Sequence, residues 1–272
     1  MLDLTAKEIF LKYSGHASKC LGQNYIFAGE LNKKIVGFAG ALDGKRVLEI
    51  GPGPGGLTVE ILKQNPNSLT LVELDNNWAN AWRDLSSTSP NICVEHCDFL
   101  KFDLNARNDF DIVISNLPYN VSAHILLKFL KSDIKNERWV FMFQKEMAER
   151  IIAKPNSKQY GRLSVLAQAK MDISYALTLS PGCFSPPPKV YSSVLVFSPK
   201  SRHSDIDFHT LDRLVSIAFN NRRKQVVKSI SKEYENCSIT DVFSQLGIRH
   251  DARAEQISVD QYISMSGMIA AS

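Results

Sequence analysis

From residue 46 onward, short apolar runs alternate with stretches whose apolar positions recur at helical spacing. Arg46–Ile50 predicts a buried strand that runs into a glycine-rich turn. Leu57 to Gln64 predicts a helix, with Leu57, Ile61 and Leu62 on its apolar side. Pro66-Asn67-Ser68 breaks it, and Leu69–Glu73 reads as the next strand. Asp75 to Leu85 predicts a helix with Asp75 as its cap. Ile92–Glu95 and Phe110–Ser115 read as a third and a fourth strand. A proline turn and a helix over Ala123–Leu130 follow the fourth. Trp139–Phe143 is a fifth strand, Lys145–Ala153 a helix, and Val190–Phe197 a last strand that completes the sheet. Strands alternating with helices predict a doubly wound α/β domain around a parallel sheet.

The polar segment Pro199–Asp205 breaks this rhythm. Beyond it, Leu211–Phe219, Lys224–Ile230 and Ile239–Leu246 read as helices, and no strand is expected. The expected organisation is an α/β domain over 1–199 and a small all-α domain over 200–272.

Composition fits this picture. The 272 residues are 44% hydrophobic and 22% charged, which supports a sizeable core and excludes a disordered chain or a fibre. No apolar run approaches the ~18 residues of a membrane span, so no membrane partner is expected. The opening Met1–Glu8 has neither a basic leader nor a long apolar stretch, and a cytoplasmic protein is expected. The five cysteines are scattered and read as reduced thiols. Cys93-Val-Glu-His96-Cys97 has the look of a metal clip without a second ligand pair nearby, so no metal is expected. The net charge of +4 permits a polyanionic partner without demanding one. No signal for oligomerisation is legible, and a monomer is expected.

The glycine-rich turn Glu49-Ile-Gly51-Pro-Gly53-Pro-Gly55-Gly56 supports two chemistries. Gly51, Gly53 and Gly56 satisfy the dinucleotide fingerprint, and Glu73 lies where the ribose-binding acid belongs. A dinucleotide, however, sets its pyrophosphate on backbone N–H groups, and Pro52 and Pro54 remove two of them. S-adenosylmethionine has no phosphate there. It carries a sulfonium and an amino-acid tail, and Glu49 is an acid placed to face that tail's ammonium. Glu73 can accept hydrogen bonds from both ribose hydroxyls. The turn therefore favours the methyl donor and leaves a nicotinamide cofactor as the rival.

Ser115-Asn116-Leu117-Pro118-Tyr119 follows the fourth strand, at the carboxyl edge where such sheets bind ligands. The Asn116 side-chain oxygen and the Leu117 carbonyl could accept the two hydrogens of an exocyclic amine. Pro118 would fix the carbonyl's direction, and Tyr119 would stack on a flat base.

With this tetrad the sequence resembles the N6-adenine methyltransferases. Nearly the whole chain resembles the ribosomal RNA adenine N6,N6-dimethyltransferases, the KsgA (RsmA) group. The ordered set that carries the resemblance includes Gly22-Gln-Asn24-Tyr25-Ile26, Glu49 to Gly56, Val72-Glu73-Leu74-Asp75 and Cys97-Asp98-Phe99-Leu100. It continues through Asn116 to Tyr119, Phe143–Glu146, Tyr160–Ser164, Phe184 to Ser192, Ala218 to Lys224 and Arg253-Ala254-Glu255. The family usually has Phe and Leu where this chain has Tyr25 and Ile26. The resemblance implies a Rossmann-like class I S-adenosylmethionine-dependent methyltransferase domain with a small C-terminal helical domain. Asn24 and Ile26 are then expected to contact the donor and Gly51, with Gly53 in the same turn, to approach its methionine part. Glu73 is expected at the ribose. Asp98 is expected at the donor's adenine amine, flanked by Phe99 or Leu100. Asn116 would lie between donor and target base, and Phe184 would cover the base opposite Tyr119.

The reaction implied is direct displacement on the donor methyl by adenine N6, for which no metal is needed. The target is two adjacent adenines near the 3′ end of small-subunit ribosomal RNA, within an immature 30S-type particle. Arg222, Arg223, Lys224, Lys228 and Lys232 carry five positive charges with no acid among them, and 224, 228 and 232 would share one helical face. That face suits RNA phosphates. Two alternatives stay open: a large-subunit RNA methyltransferase of the macrolide-resistance type, and a non-catalytic ribosome assembly factor.

Overall fold

A computed structural model describes every position except residues 1–3, 14, 19–20, 108–109, 135, 201–205, 221, 223 and 272. Packing divides the chain into two compact units, one of residues 1–148 with 174–199 and one of 149–173 with 200–272.

The first unit is built on strands β1 (Arg46–Ile50), β2 (Ser68–Glu73), β3 (Ile92–His96), β4 (Ile112–Asn116), β5 (Arg138–Gln144), β6 (Met171–Leu179) and β7 (Ser192–Pro199). Their order is β3-β2-β1-β4-β5-β7-β6. The predicted strands all form. β1 to β5 are parallel, as the alternation implied, whereas β7 runs antiparallel to β5. Helices α1 (Ala6–Lys12), α2 (Gly29–Gly37), α3 (Gly56–Leu62), α4 (Asn76–Leu85), α5 (Ser122–Lys131) and α6 (Lys145–Ile151) accompany the strands. Asp75 caps α4 as expected, its Oδ1 accepting from Asn77 N at 2.9 Å.

The order of strands reverses between β1 and its neighbours β2 and β4, which opens a crevice at the carboxyl edge. Register decides what stands there. Ile50 pairs with Val72, Glu49 with Ile114 and Glu73 with His96. The chain therefore leaves the sheet at Gly51, Glu73, Asp98 and Asn116 side by side along one rim. Below the rim the core is apolar: Val47, Leu48, Val113 and Ile114 are fully buried. Phe129 packs against Trp139 and Phe141, with ring centroids 5.2 and 5.4 Å apart.

The second unit contains α7 (Arg162–Lys170), α8 (Phe208–Asn220), α9 (Val226–Glu233), α10 (Ile239–Gln245) and α11 (Val259–Ala270). This division differs from a single boundary at residue 200, because residues 149–173 group with the later helices while 174–199 stay with the first unit. Arg162 makes two bonds to Asp212 Oδ1, at 2.9 and 2.6 Å. The Tyr160 hydroxyl donates to Ile257 O at 3.0 Å, and Phe219 lies between the rings of Tyr160 and Tyr262.

Candidate active site

A pocket opens at the carboxyl edge. Asn24, Gly51, Gly53, Glu73, Asp98, Phe99 and the whole of Asn116–Tyr119 line it. A smaller cavity next to it is lined by Ile26, Asn32 and Glu49, and the two share Tyr25, Gly51 and Asn116. Most residues expected at the donor and at the target base thus line the larger pocket, Ile26 and Glu49 line only the smaller cavity beside it, and Phe184 lines neither.

The glycine turn has the conformation its sequence requires. Gly53 and Gly55 adopt φ of 51° and 91°, in the left-handed region that side chains avoid. A Cβ on Gly53 would come within 2.8 Å of the Tyr25 ring, and one on Gly55 would overlap the Trp82 ring. Glu73 is nearly buried and binds this turn directly: its Oε2 accepts from Gly53 N at 3.0 Å and its Oε1 from Asp75 N at 2.8 Å. Each carboxylate oxygen keeps further acceptor capacity for a ligand hydroxyl. Burial raises the Glu73 pKa, and the two backbone N–H groups oppose the rise. The Gly53 N–H is one of the donors a pyrophosphate would need, and it is already committed to Glu73.

Glu49 is 1% exposed, and its Oε2 has no hydrogen-bond partner. Burial pushes its pKa up to about 8; the Thr58 hydroxyl draws it down and the Glu73 charge adds to the rise. Asn32 Oδ1, lining the same cavity, is also buried without a partner. Two unsatisfied buried acceptors in one small cavity are costly unless a donor comes to meet them.

The tetrad after β4 is held at each end and in the middle. Ser115 Oγ donates to Ile50 O at 2.7 Å. Asn116 Nδ2 donates to Asn24 O at 2.9 Å, so the side-chain oxygen is the acceptor that remains for a ligand. The Tyr119 hydroxyl and Ser192 Oγ lie 2.5 Å apart, and Ser122 Oγ donates to Tyr119 O at 3.1 Å. Burial keeps the Tyr119 hydroxyl above the ordinary phenol range, with Ser192 opposing.

Several expected residues stand in more particular places. Ile26 is buried, lines only the smaller cavity, and gives its carbonyl to Asn32 Nδ2 at 2.9 Å. Phe99 lines the pocket, but its ring is sandwiched by Phe102 and Phe129 at 5.7 and 5.4 Å. The exposed Leu100 and Leu74 line the same pocket, and both are free to flank a flat ring. Phe184, expected to cover the base opposite Tyr119, is 5% exposed and packs in the hydrophobic core. The physical reason is local. Ser185 pairs with Tyr25 through two backbone bonds of 2.8 and 3.1 Å, which draws the preceding ring inward.

Of the basic segment, Arg223 lies outside the described residues. Arg222 sits in a turn, donates to Ser157 O at 3.2 Å and pairs with Glu255 across 3.5 Å. Lys224 precedes α9, which begins only at Val226 after the extended Gln225, so it does not share a helical face with Lys228 and Lys232. Lys224 and Lys228 are exposed.

Sequence reasoning did not single out Leu74, Ser192, Trp78 or Trp82. Leu74 had a signal, an apolar residue at a strand end directly after the acid Glu73. The other three act through partners far away in the chain.

The family profile described as "Ribosomal RNA adenine dimethylase" matches residues 15–271. The chain is 34% identical over 271 residues to "Ribosomal RNA small subunit methyltransferase A" of Erythrobacter litoralis, covering 98% of this chain and 95% of that protein. It is 39% identical over 270 residues to the protein of the same description from a Ruegeria species, covering 96% and 94%. In fold it is similar to a dimethyladenosine transferase from Plasmodium falciparum (TM-score 0.79, 22% identity, 89% and 98% of the two chains). It is also similar in fold to the 23S rRNA methyltransferase ErmE (TM-score 0.68, 20% identity, 91% and 100%).

Proposed function

The chain belongs to the ribosomal RNA adenine dimethylase family, and from that membership we propose that it is an S-adenosylmethionine-dependent enzyme that dimethylates N6 of two adjacent adenines near the 3′ end of small-subunit ribosomal RNA. The observation that carries the reading is the convergence of Gly51, Glu73, Asp98 and Asn116 on one pocket at the strand reversal.

The buried acceptors test whether the donor fits. Glu49 Oε2 and Asn32 Oδ1 lack partners beside the pocket, and the donor's ammonium supplies the hydrogens they are missing. The committed Gly53 N–H argues in the same direction, since it turns a phosphate away. S-adenosylmethionine, when bound, supplies a methyl group on a positively charged sulfur that leaves with the bonding electrons.

The chain's own residues do the rest. Glu73 accepts from the ribose hydroxyls. Asp98 accepts from the adenine amine of the donor, between Leu74 and Leu100. Asn24 and Ile26 close the methionine end together with Gly51 and Gly53. The target amine donates hydrogen bonds to Asn116 Oδ1 and the Leu117 carbonyl; as the N–C bond forms and the S–C bond breaks, the methylated nitrogen becomes cationic and releases one proton to water. Those two acceptors favour a pyramidal nitrogen and stabilise the positive charge that grows on it. Pro118 fixes the carbonyl, and Tyr119 stacks on the base. Stacking offsets part of the cost of drawing the base out of its helix, at about 1–3 kcal/mol per base. Arg222, Arg223, Lys224 and Lys228 provide phosphate contacts on the second unit, which fix register without choosing a base.

The working protein is proposed to be a cytoplasmic monomer that acts on an immature 30S-type particle. Among the described residues, no helix is long and apolar enough to cross a membrane. Incubation with labelled donor and each ribosomal subunit separately tests the substrate. Dimethyladenine in small-subunit RNA is expected, and label in large-subunit RNA alone would overturn the assignment.

A further inference from the structure

Helix α4 and its N-cap send three side chains to two separate loops of the pocket. Trp78 and Trp82 stand at i and i+4 and share one face, and Asp75 caps the helix ahead of them. Asp75 Oδ2 accepts from Gln23 Nε2 at 2.9 Å. Trp78 Nε1 donates to the Tyr25 hydroxyl at 2.9 Å, and Trp82 Nε1 donates to Gly53 O at 2.8 Å. Gln23 and Tyr25 belong to the loop ahead of α2, and Gly53 to the turn after β1. Both indoles are buried, at 2% and 0% exposure. Beyond its apolar rings each tryptophan carries an N–H, and both N–H groups are spent on the pocket's walls.

The contacts close into a circuit. Trp78 holds the Tyr25 hydroxyl, the Tyr25 ring lies against Gly53, and the Gly53 carbonyl returns to Trp82 one helical turn further along. Gly53 is held from both sides, its N–H by Glu73 and its carbonyl by Trp82. The hydroxyl on which Trp78 depends exists because this chain has tyrosine at position 25.

We propose that Trp78 and Trp82 are positioning residues for the methyl donor, bracing the leading loop and the glycine turn on one helix face so that the two walls of the donor pocket stand at a fixed separation. The inference rests on the reading of this pocket as the donor site. It adds that donor affinity is set partly by indole N–H groups that touch no ligand.

The test uses the full chain and S-adenosylhomocysteine as probe. Trp82→Phe removes the N–H together with the fused five-membered ring of a buried side chain; Tyr25→Phe removes only the hydroxyl that accepts from Trp78. Each is expected to weaken binding by calorimetry about 3–10-fold, the worth of one lost hydrogen bond. The donor KM should rise in parallel, with kcat at saturating donor within about twofold, a split that general destabilisation would not give. Because both changes release the same turn, the double variant should lose less than the product of the single losses. The probe should also change tryptophan emission in the native chain, and less so in Trp82→Phe. Should Trp82→Phe fail to fold, Tyr25→Phe carries the test alone. If Glu73→Gln weakens probe binding while both aromatic variants stay within twofold of native, the brace is refuted and the donor pocket stands. If the native chain binds no probe, the pocket reading itself falls.

Discussion

The side-chain nitrogen of Asn116 donates to the main-chain carbonyl of Asn24, 92 positions away in the chain, across 2.9 Å. One bond thereby sets the amide's orientation and joins the loop expected at the donor to the loop expected at the target base. Asn116→Asp keeps the shape but replaces the donor with a second acceptor facing a carbonyl, and Asn116→Ala removes both groups. Each is expected to lower the single-turnover methyl-transfer rate by about 100-fold or more, the scale of a lost preorganised dipole. RNA affinity, followed by filter binding, should stay within a few-fold. Unchanged turnover in Asn116→Ala would reject the pocket.

Glu49 makes donor binding depend on pH. Its pKa is raised from 4.5 to about 8, so below pH 8 the folded chain holds this carboxyl protonated and above it the carboxyl is charged. The unfolded chain releases that proton near 4.5. Between 4.5 and 8 the folded state therefore binds more protons, and this group's contribution to stability is full below 4.5 and is lost as pH rises through 8. A cationic ammonium favours the charged form. Binding of S-adenosylhomocysteine should thus tighten from pH 6 to 8 and release a proton, detectable by calorimetry in buffers of different ionisation enthalpy. Glu49→Gln should flatten the dependence and remove the proton release.

Ser192 touches Tyr119 from a strand that enters the sheet late and reversed, and it is fully buried. The hydroxyl pair fixes the plane of the tyrosine ring. A tilted ring is felt most once the amine already carries a methyl, since the pocket then has less room. Ser192→Ala is expected to slow the second transfer about 3–10-fold more than the first. Monomethyladenine would accumulate in digests analysed by mass spectrometry. In a Tyr119→Phe background the same change should add nothing.

Phe129 is fully buried and stacks on Phe99, a pocket-lining residue, at 5.4 Å. Phe129→Ala should lower stability by about 3–5 kcal/mol in denaturant unfolding. It should also weaken probe binding, because Phe99 loses the ring that backs it.

What the sequence made legible follows from locality. The strands β1 to β5 are short apolar runs between breakers, and the glycines, Glu73 and Asn116 sit at their ends, so spacing alone brought them to one edge. β6 escaped because only Met171 and Leu179, at its two ends, are buried, leaving no apolar run to read. The reversed direction of β7 leaves no mark on its own residues. Lys224 looked helical because charge spacing carries no information about where the helix starts, which the extended Gln225 decides. Phe184 was expected over the target base, and its pull inward comes from the Tyr25–Ser185 pairing, far away in sequence. Trp78 and Trp82 are core residues of a helix face and drew no functional reading from the sequence. Their second use, through the indole N–H, depends on loops that only the tertiary fold brings within reach.

The claim on which the account turns is that the amine edge of adenine is gripped by the Asn116–Tyr119 loop. A crystal structure of the chain with S-adenosylhomocysteine and an adenine-containing oligonucleotide measures this directly. The account predicts the target N6 within about 2.7–3.2 Å of both Asn116 Oδ1 and the Leu117 carbonyl, under the Tyr119 ring. An adenine seated elsewhere, with residues 116–119 turned away from it, would contradict the account.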